Sequence, residues 1–340
     1  MRSGAAAGHL GCFHEAAFYD SDQAFLDVVV PFLTGGLEAG EPVVAAFTRH
    51  HQGLVTEVLG TGHGIKYIDA GLQYARPASA IDRYRRMLRE YGTTRPAQVR
   101  LTGEVPHPGT GAPWDWWARY EAAVNRAFED FPVWGLCPYD TRLLPADVMA
   151  DVRSTHPFIA DGATHAANSG FVVPETFLAG RRAAWRDPLE DGPPAATFHD
   201  PFPAPVRTAI TRAGHSTSLP ENDVRGLVLG ASEAVSNAIL HGKPPVTVRL
   251  WSSAERIVVA VTDAGEGPRE PFAGLFPTSA TAARGGLGLW LAFQACGFVT
   301  FDHGPDGFTI RLVAGKAETG QPEAGTGQPE AETGQPEAGT

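Results

Sequence analysis

Apolar positions recur along the chain with two different periods, and the alternation between them lays out a first domain. From Ser21 to Ala39, residues Phe25, Val28, Val29, Phe32, Leu33 and Leu37 fall at helical spacing and predict an amphipathic helix. Ser21 can cap its start, Gly40 ends it, and Pro31 inside it predicts a kink or a break. Pro42–Thr48 is a continuous apolar run, as in a parallel strand buried on both faces. A strand at Ile65–Asp69, a helix at Ala78–Tyr91, a strand at Gln98–Gly103, a helix at Trp114–Asp130 and a strand at Val133–Pro138 follow. Strand and helix alternating at this spacing predict an α/β domain with a mainly parallel sheet over residues 9–160.

The periodicity weakens over residues 161–201, where Asp187-Pro188 and Gly192-Pro193-Pro194 punctuate the chain, so a linker is expected. It resumes at Phe202. Ser218-Leu-Pro-Glu221 is a capping-box pattern, and Val224, Leu227, Val228, Ala231, Val235, Ala238 and Ile239 then share one helical face. Strands are predicted at Val246–Trp251 and Ile257–Thr262, within a second domain over 202–314. Beyond it, residues 315–340 repeat TGQPEA at a seven-residue period, as in Thr319–Ala324, Thr326–Ala331 and Thr333–Ala338. Without Leu, Ile, Val or aromatic residues, this stretch cannot bury enough surface to offset its ordering entropy. A disordered acidic tail is expected there.

Charge narrows the function classes. The formal net charge is −11 over 340 residues. That argues against nucleic acid as the main partner, since a phosphate backbone needs clustered Lys and Arg. No apolar run approaches a membrane span. Cys12, Cys137 and Cys296 are far apart and show no metal-ligand spacing, so a reducing cytoplasm and no disulfide framework are expected.

Three motifs carry candidate chemistry. Glu233 and Asn237 are one helical turn apart, so a carboxylate and an amide share one face and can serve a hydroxyl and a Mg²⁺ beside a triphosphate. Asp263-Ala-Gly265-Glu-Gly267 follows a strand, where an Asp can accept from an adenine amino group and glycines let the backbone approach the base. Arg284-Gly-Gly286-Leu287-Gly288-Leu289 opens an apolar helix and can offer unpaired N–H groups to an anion. Each motif alone also fits a solvated pair, an ordinary turn or a packing glycine.

In this order, however, the three motifs resemble the N, G1 and G2 boxes of the GHKL ATP-binding superfamily. The resemblance implies a Bergerat-type α/β sandwich. It implies Asn237 as Mg²⁺ ligand and Asp263 as adenine contact. Gly265 and Gly267 would shape the base pocket, and Gly286, Leu287 and Gly288 would lie along the phosphates. Thr309 matches a position near the adenine, and Arg284 is a candidate phosphate contact from a lid over 266–285. A histidine kinase needs an acceptor His on a helical hairpin, and His165, His199 and His215 lack that setting. Glu233-Ala-Val-Ser-Asn237-Ala-Ile-Leu-His241-Gly is similar to the N box of anti-sigma-factor serine kinases. There Glu233 would be the general base. The expected partner is a STAS-type anti-anti-sigma protein, with a sigma factor as a second candidate and room for a homodimer. A non-catalytic ATP-binding switch and an atypical sensor histidine kinase are the alternatives.

The first domain resembles the MEDS sensory domain. The residues that carry this are His14 with Phe18-Tyr19, Pro31-Phe-Leu33, Gly35-Gly-Leu-Glu-Ala-Gly-Glu-Pro42, Arg100-Leu-Thr-Gly-Glu104, Trp134-Gly-Leu-Cys137-Pro-Tyr139-Asp140-Thr-Arg142 and His156-Pro157. It implies a sensor of a small molecule, with a fold related to RecA-type ATPases but without a phosphate loop. His14 and Glu104 could line a ligand pocket or be satisfied core groups. Cys137 could be a sensor thiol or a small hydrophobe. Trp114, Trp116 and Trp117 could form an aromatic wall or pack a helix on the sheet.

Overall fold

The computed structural model describes residues 2–94, 98–105, 114–181, 185–277 and 287–315. The repeat tail and Arg284 to Gly286 lie outside the described residues.

The first sheet runs β3-β2-β4-β5-β1-β6-β7. Its strands are β1 (Phe13–Tyr19), β2 (Val43–Ala46), β3 (Lys66–Tyr67), β4 (Val99–Gly103), β5 (Val133–Asp140), β6 (Phe158–Asp161) and β7 (Thr164–Ala167). All pairings are parallel except β6 with β7. The central strands β1, β2, β4 and β5 are buried on both faces, as the parallel pattern requires. On one face, Phe25, Val29 and Leu33 of α1 (Asp22–Glu38) meet Phe13, Val43, Ala45 and Trp134. On the other, α4 (Pro77–Thr94) and α5 (Trp114–Ala127) bring Ile81, Tyr84 and Trp117 onto Val44 and Leu101. The shorter helices are α2 (Arg49–Leu59), α3 (Ala70–Gln73), α6 (Ala146–Thr155) and α7 (Pro174–Gly180). Ser21 caps α1 by accepting from Ala24 N at 3.2 Å, as expected. Pro31 does not break the helix, which continues to Glu38. Proline removes one backbone donor, and the buried face of α1 offsets that loss.

The second sheet is antiparallel, in the order β11-β12-β10-β9-β8. Its strands are β8 (Ala196–His199), β9 (Thr247–Ser252), β10 (Ile257–Asp263), β11 (Phe298–Gly304) and β12 (Gly307–Ala314). Helices α8 (Pro203–Gly214), α9 (Glu221–His241) and α10 (Gly288–Ala295) cover one face. The expected capping box at α9 does not form. Ser218 instead hydrogen-bonds Ala254 O through both its backbone N and its Oγ, and Pro220 occupies the cap position. Ser218 thus ties the helix entry to the β9–β10 hairpin rather than to the helix itself.

The stretch read as a linker adds strands to both sheets, since β7 joins the first and β8 the second. It also covers the back of the second sheet. Asp187 and Glu190 form buried ion pairs with Arg256 at 3.2 Å and Arg311 at 2.8 Å. Trp116 of α5 packs on the same face with Trp185, Trp251, Val258 and Phe298. The aromatic residues of α5 therefore divide. Trp117 enters the core of its own domain, Trp116 reaches the second domain, and the Trp114 indole donates to Asp151 at 2.9 Å. A further contact joins α4 to α10, where Ser79 Oγ donates to Gln294 Oε1 at 2.8 Å.

Candidate functional sites

In the second domain the three motifs converge beside the helical face of the sheet. Glu233 and Asn237 lie on successive turns of α9. Gly288, the first residue of α10, faces them. A Cβ at Gly288 would stand 2.3 Å from Glu233 Oε2 and 3.5 Å from Asn237 Nδ2. The carboxylate and the amide thus sit against a helix N-terminus, where backbone N–H groups have no intrahelical partner. Leu287 occupies the cap position of the same helix.

Asp263 ends β10 and is buried. Its Oδ1 accepts from Lys243 N at 3.1 Å and from Gly265 N at 2.7 Å. Glycines are needed around it, since a Cβ at either Gly242 or Gly265 would stand 2.5 Å from Oδ1. Gly267 has φ +71°, and its Cβ would meet the Phe308 ring at 2.4 Å. Thr309 is not brought to this group. It pairs with Thr262 in register, hydroxyl to hydroxyl at 2.8 Å. Paired residues of an antiparallel sheet share a face. Thr309 therefore lies on the back face, and Phe308, paired with Asp263, holds the position on Asp263's side. The first half of the lid is irregular, as its prolines demand, but not loose. Phe272, Leu275 and Phe276 are buried, and Gly274 lies against Phe293 of α10.

A second polar group lies inside the first domain. His14 pairs in register with Gly135, so His14 and Cys137 share one face of the β1–β5 pair. Glu121 and Asn125 reach that face from α5, and His156 reaches it from the end of α6. His14 Nε2 is 3.4 Å from Cys137 Sγ and 3.6 Å from Glu121 Oε2, and His156 Nε2 is 3.5 Å from the same oxygen. Burial pushes His14 down to about 4 and His156 well below its ordinary value. It pushes Glu121 up to about 8 and raises Cys137 further. All four are held towards their neutral forms. A cavity of about 30 Å³ adjoins His14, Glu121 and Cys137, lined also by Tyr74, Tyr84 and Tyr120. Glu104 does not line it. Its carboxylate accepts from Tyr19 Oη at 2.9 Å and from Thr48 N at 3.3 Å, and bonds His51 Nδ1 at 2.9 Å.

Residues 13–157 match the family model of MEDS, the methanogen/methylotroph, DcmR sensory domain. Residues 203–314 match that of the histidine kinase-like ATPase domain. The chain joins a MEDS sensory domain to a histidine kinase-like ATPase domain. No curated protein matches it significantly. An ATPase domain of this kind implies ATP binding, so the protein is a regulatory, kinase-like ATP-binding protein. The site fits such a ligand. Glycines clear the approach to Asp263, and a carboxylate and an amide stand at a helix N-terminus. Among the described residues, no helix is long and apolar enough to cross a membrane.

Sequence reasoning missed Gly242 in the ATPase domain and Glu121 and Asn125 in the MEDS domain. A glycine closing the helix just after the N box was a usable signal for Gly242. Glu121 and Asn125 are a helical i, i+4 pair like Glu233 and Asn237, but no glycine motif follows them to mark the site.

Proposed function

We propose that the protein is a sensor-coupled serine/threonine kinase that phosphorylates a STAS-type anti-anti-sigma partner. The observation that carries this reading is the approach of Gly288 to Glu233 and Asn237. It gathers a proton acceptor, a metal-binding amide and the first backbone donors of a helix in one place.

In this reading Asp263, with Oδ1 fixed by two backbone donors, offers its other oxygen to the adenine amino group. Gly265 and Gly267 let the base lie close. Leu287 and Gly288 place backbone N–H groups towards the phosphates. Asn237 would hold Mg²⁺ through its side-chain oxygen. Mg-ATP, when bound, supplies the phosphoryl group and neutralises its charge. Glu233 orients the incoming hydroxyl and accepts its proton. Phosphoryl transfer is chiefly positioning and charge stabilisation, so this set suffices. The settings of His165, His199 and His215 favour a hydroxyl acceptor over an internal histidine. His165 and His199 lie on strands, and His215 ends α8.

The test is transfer from Mg-ATP to purified STAS-type partners. Phosphoserine or phosphothreonine that disappears with Glu233→Ala supports the reading. Partner binding that depends on ATP, with no phosphate transferred, would replace it with a non-catalytic switch.

A further inference from the structure

We propose that His14, Glu121, Cys137 and His156 form a binding site for one divalent transition-metal ion, zinc by the chemistry of its donors, in the core of the MEDS domain. Each residue offers one ligand atom, and all four atoms lie within 4.8 Å of one another. Tetrahedral zinc bonds of about 2.0–2.3 Å require ligand-to-ligand edges of roughly 3.3–3.8 Å. The separations of 3.4, 3.5 and 3.6 Å around His14 and Glu121 fall in that range.

The outer contacts prepare the same atoms. Asn125 Nδ2 donates to the carbonyls of Glu121, Ala122 and Thr155, so its Oδ1 is turned to His14 Nδ1 at 3.1 Å. That makes Nδ1 the donor and leaves Nε2 a bare lone pair aimed at the cluster. His156 Nδ1 likewise lies 2.8 Å from Val152 O, which can only accept. Fixing the far nitrogen in this way is how proteins orient histidine ligands.

Glu121 and His156 also hold atoms without a full hydrogen bond, while Cys137 Sγ and His14 Nε2 bond each other. Glu121 and His156 are fully buried. Among the described residues, neither Glu121 oxygen nor His156 Nε2 has a partner in full hydrogen-bond geometry. The Tyr139 hydroxyl is the neighbour that acts on Glu121, by charge and by a loose hydrogen bond that falls short of full geometry. Buried polar atoms are rarely left so. A cation satisfies all of them together. Two imidazoles, one thiolate and one carboxylate suit zinc better than calcium or magnesium, which favour all-oxygen sites. The four ligands come from β1, β5, α5 and the end of α6, so an ion there would tie both helices to the sheet.

The untagged full chain, purified without chelator, tests this by elemental analysis and by cobalt substitution. The expected result is one zinc per chain, with a thiolate-to-cobalt charge-transfer band after exchange. Cys137→Ser should abolish the band, while Cys12→Ala keeps it. Asn125→Ala, which removes no ligand but loses the contact to His14 and the bonds to three carbonyls, should weaken zinc binding by roughly 10–100-fold. A folded wild-type chain that contains no metal and takes up neither zinc nor cobalt overturns the proposal. So does a band that survives Cys137→Ser. The wild-type measurement decides even where a variant fails to fold.

Discussion

Trp116 of the MEDS domain meets Phe298 of the ATPase domain edge to face, with ring centroids 4.8 Å apart and planes at 84°. Phe298 opens β11, at the edge of the ATPase sheet. Trp116 lies on the helix that also carries Glu121. A displacement of α5 would therefore meet the ATPase sheet at packed aromatic rings rather than at a loop.

Trp116→Ala removes the centre of that contact. A buried Trp-to-Ala change costs about 3–5 kcal/mol where the site cannot collapse. The expected outcome is loss of coupling between the domains, seen as two separate unfolding transitions in calorimetry where the parent shows one. A single unchanged transition would refute it.

Glu233→Ala and Asn237→Ala should separate chemistry from binding. The first is expected to keep nucleotide affinity within a few-fold and to slow transfer by about 10²–10⁴, the usual contribution of a general base. The second should lose the Mg²⁺ dependence of binding. Isothermal titration with and without Mg²⁺, beside a transfer assay, distinguishes the two.

Two glycines should respond differently to alanine. At Gly288 the clashing atom is the end of the Glu233 side chain, which can swing away. Gly288→Ala is expected to leave the thermal midpoint nearly unchanged and to depress activity as Glu233→Ala does. At Gly226 a Cβ would stand 2.2 Å from the backbone oxygen of Ala295, which cannot move alone. Gly226→Ala should push α9 from α10 and cost about 1–3 kcal/mol in urea denaturation.

Glu190→Ala tests the clasp on the back of the sheet. It removes a carboxylate that accepts from Arg311 Nε at 2.8 Å and leaves a buried guanidinium with Asp302 as its remaining carboxylate partner. Breaking one side of a buried pair costs about 3–5 kcal/mol. The retained Asp302 contact should hold the loss near the lower figure, as read from urea midpoints. Glu190→Gln should lose less.

Much of this protein was legible from local pattern. The helical spacing of α1, α4 and α9 and the apolar runs of β2, β5 and β10 follow from which faces must be buried, and that is a property of neighbouring residues. The ATP-binding motifs were legible for a related reason, because glycines at Gly265 and Gly288 mark places where backbone must come close. Thr309 was misplaced because sheet face depends on register. Paired with Thr262, Thr309 falls on the opposite side from Asp263, and the sequence alone leaves that register open.

By itself, then, the sequence determined the two α/β domains, the order of the nucleotide boxes and the helical face that carries Glu233 and Asn237. Tertiary structure alone decided three other relationships. It brought His14, Glu121, Cys137 and His156 together from four elements, set Trp116 against Phe298, and turned Asp187 and Glu190 into clasps on the second sheet. The reason is separation along the chain. Periodicity reports contacts within a few residues, whereas Glu121 lies far in sequence from His14, and Arg311 from Glu190, until the sheets and helices have packed.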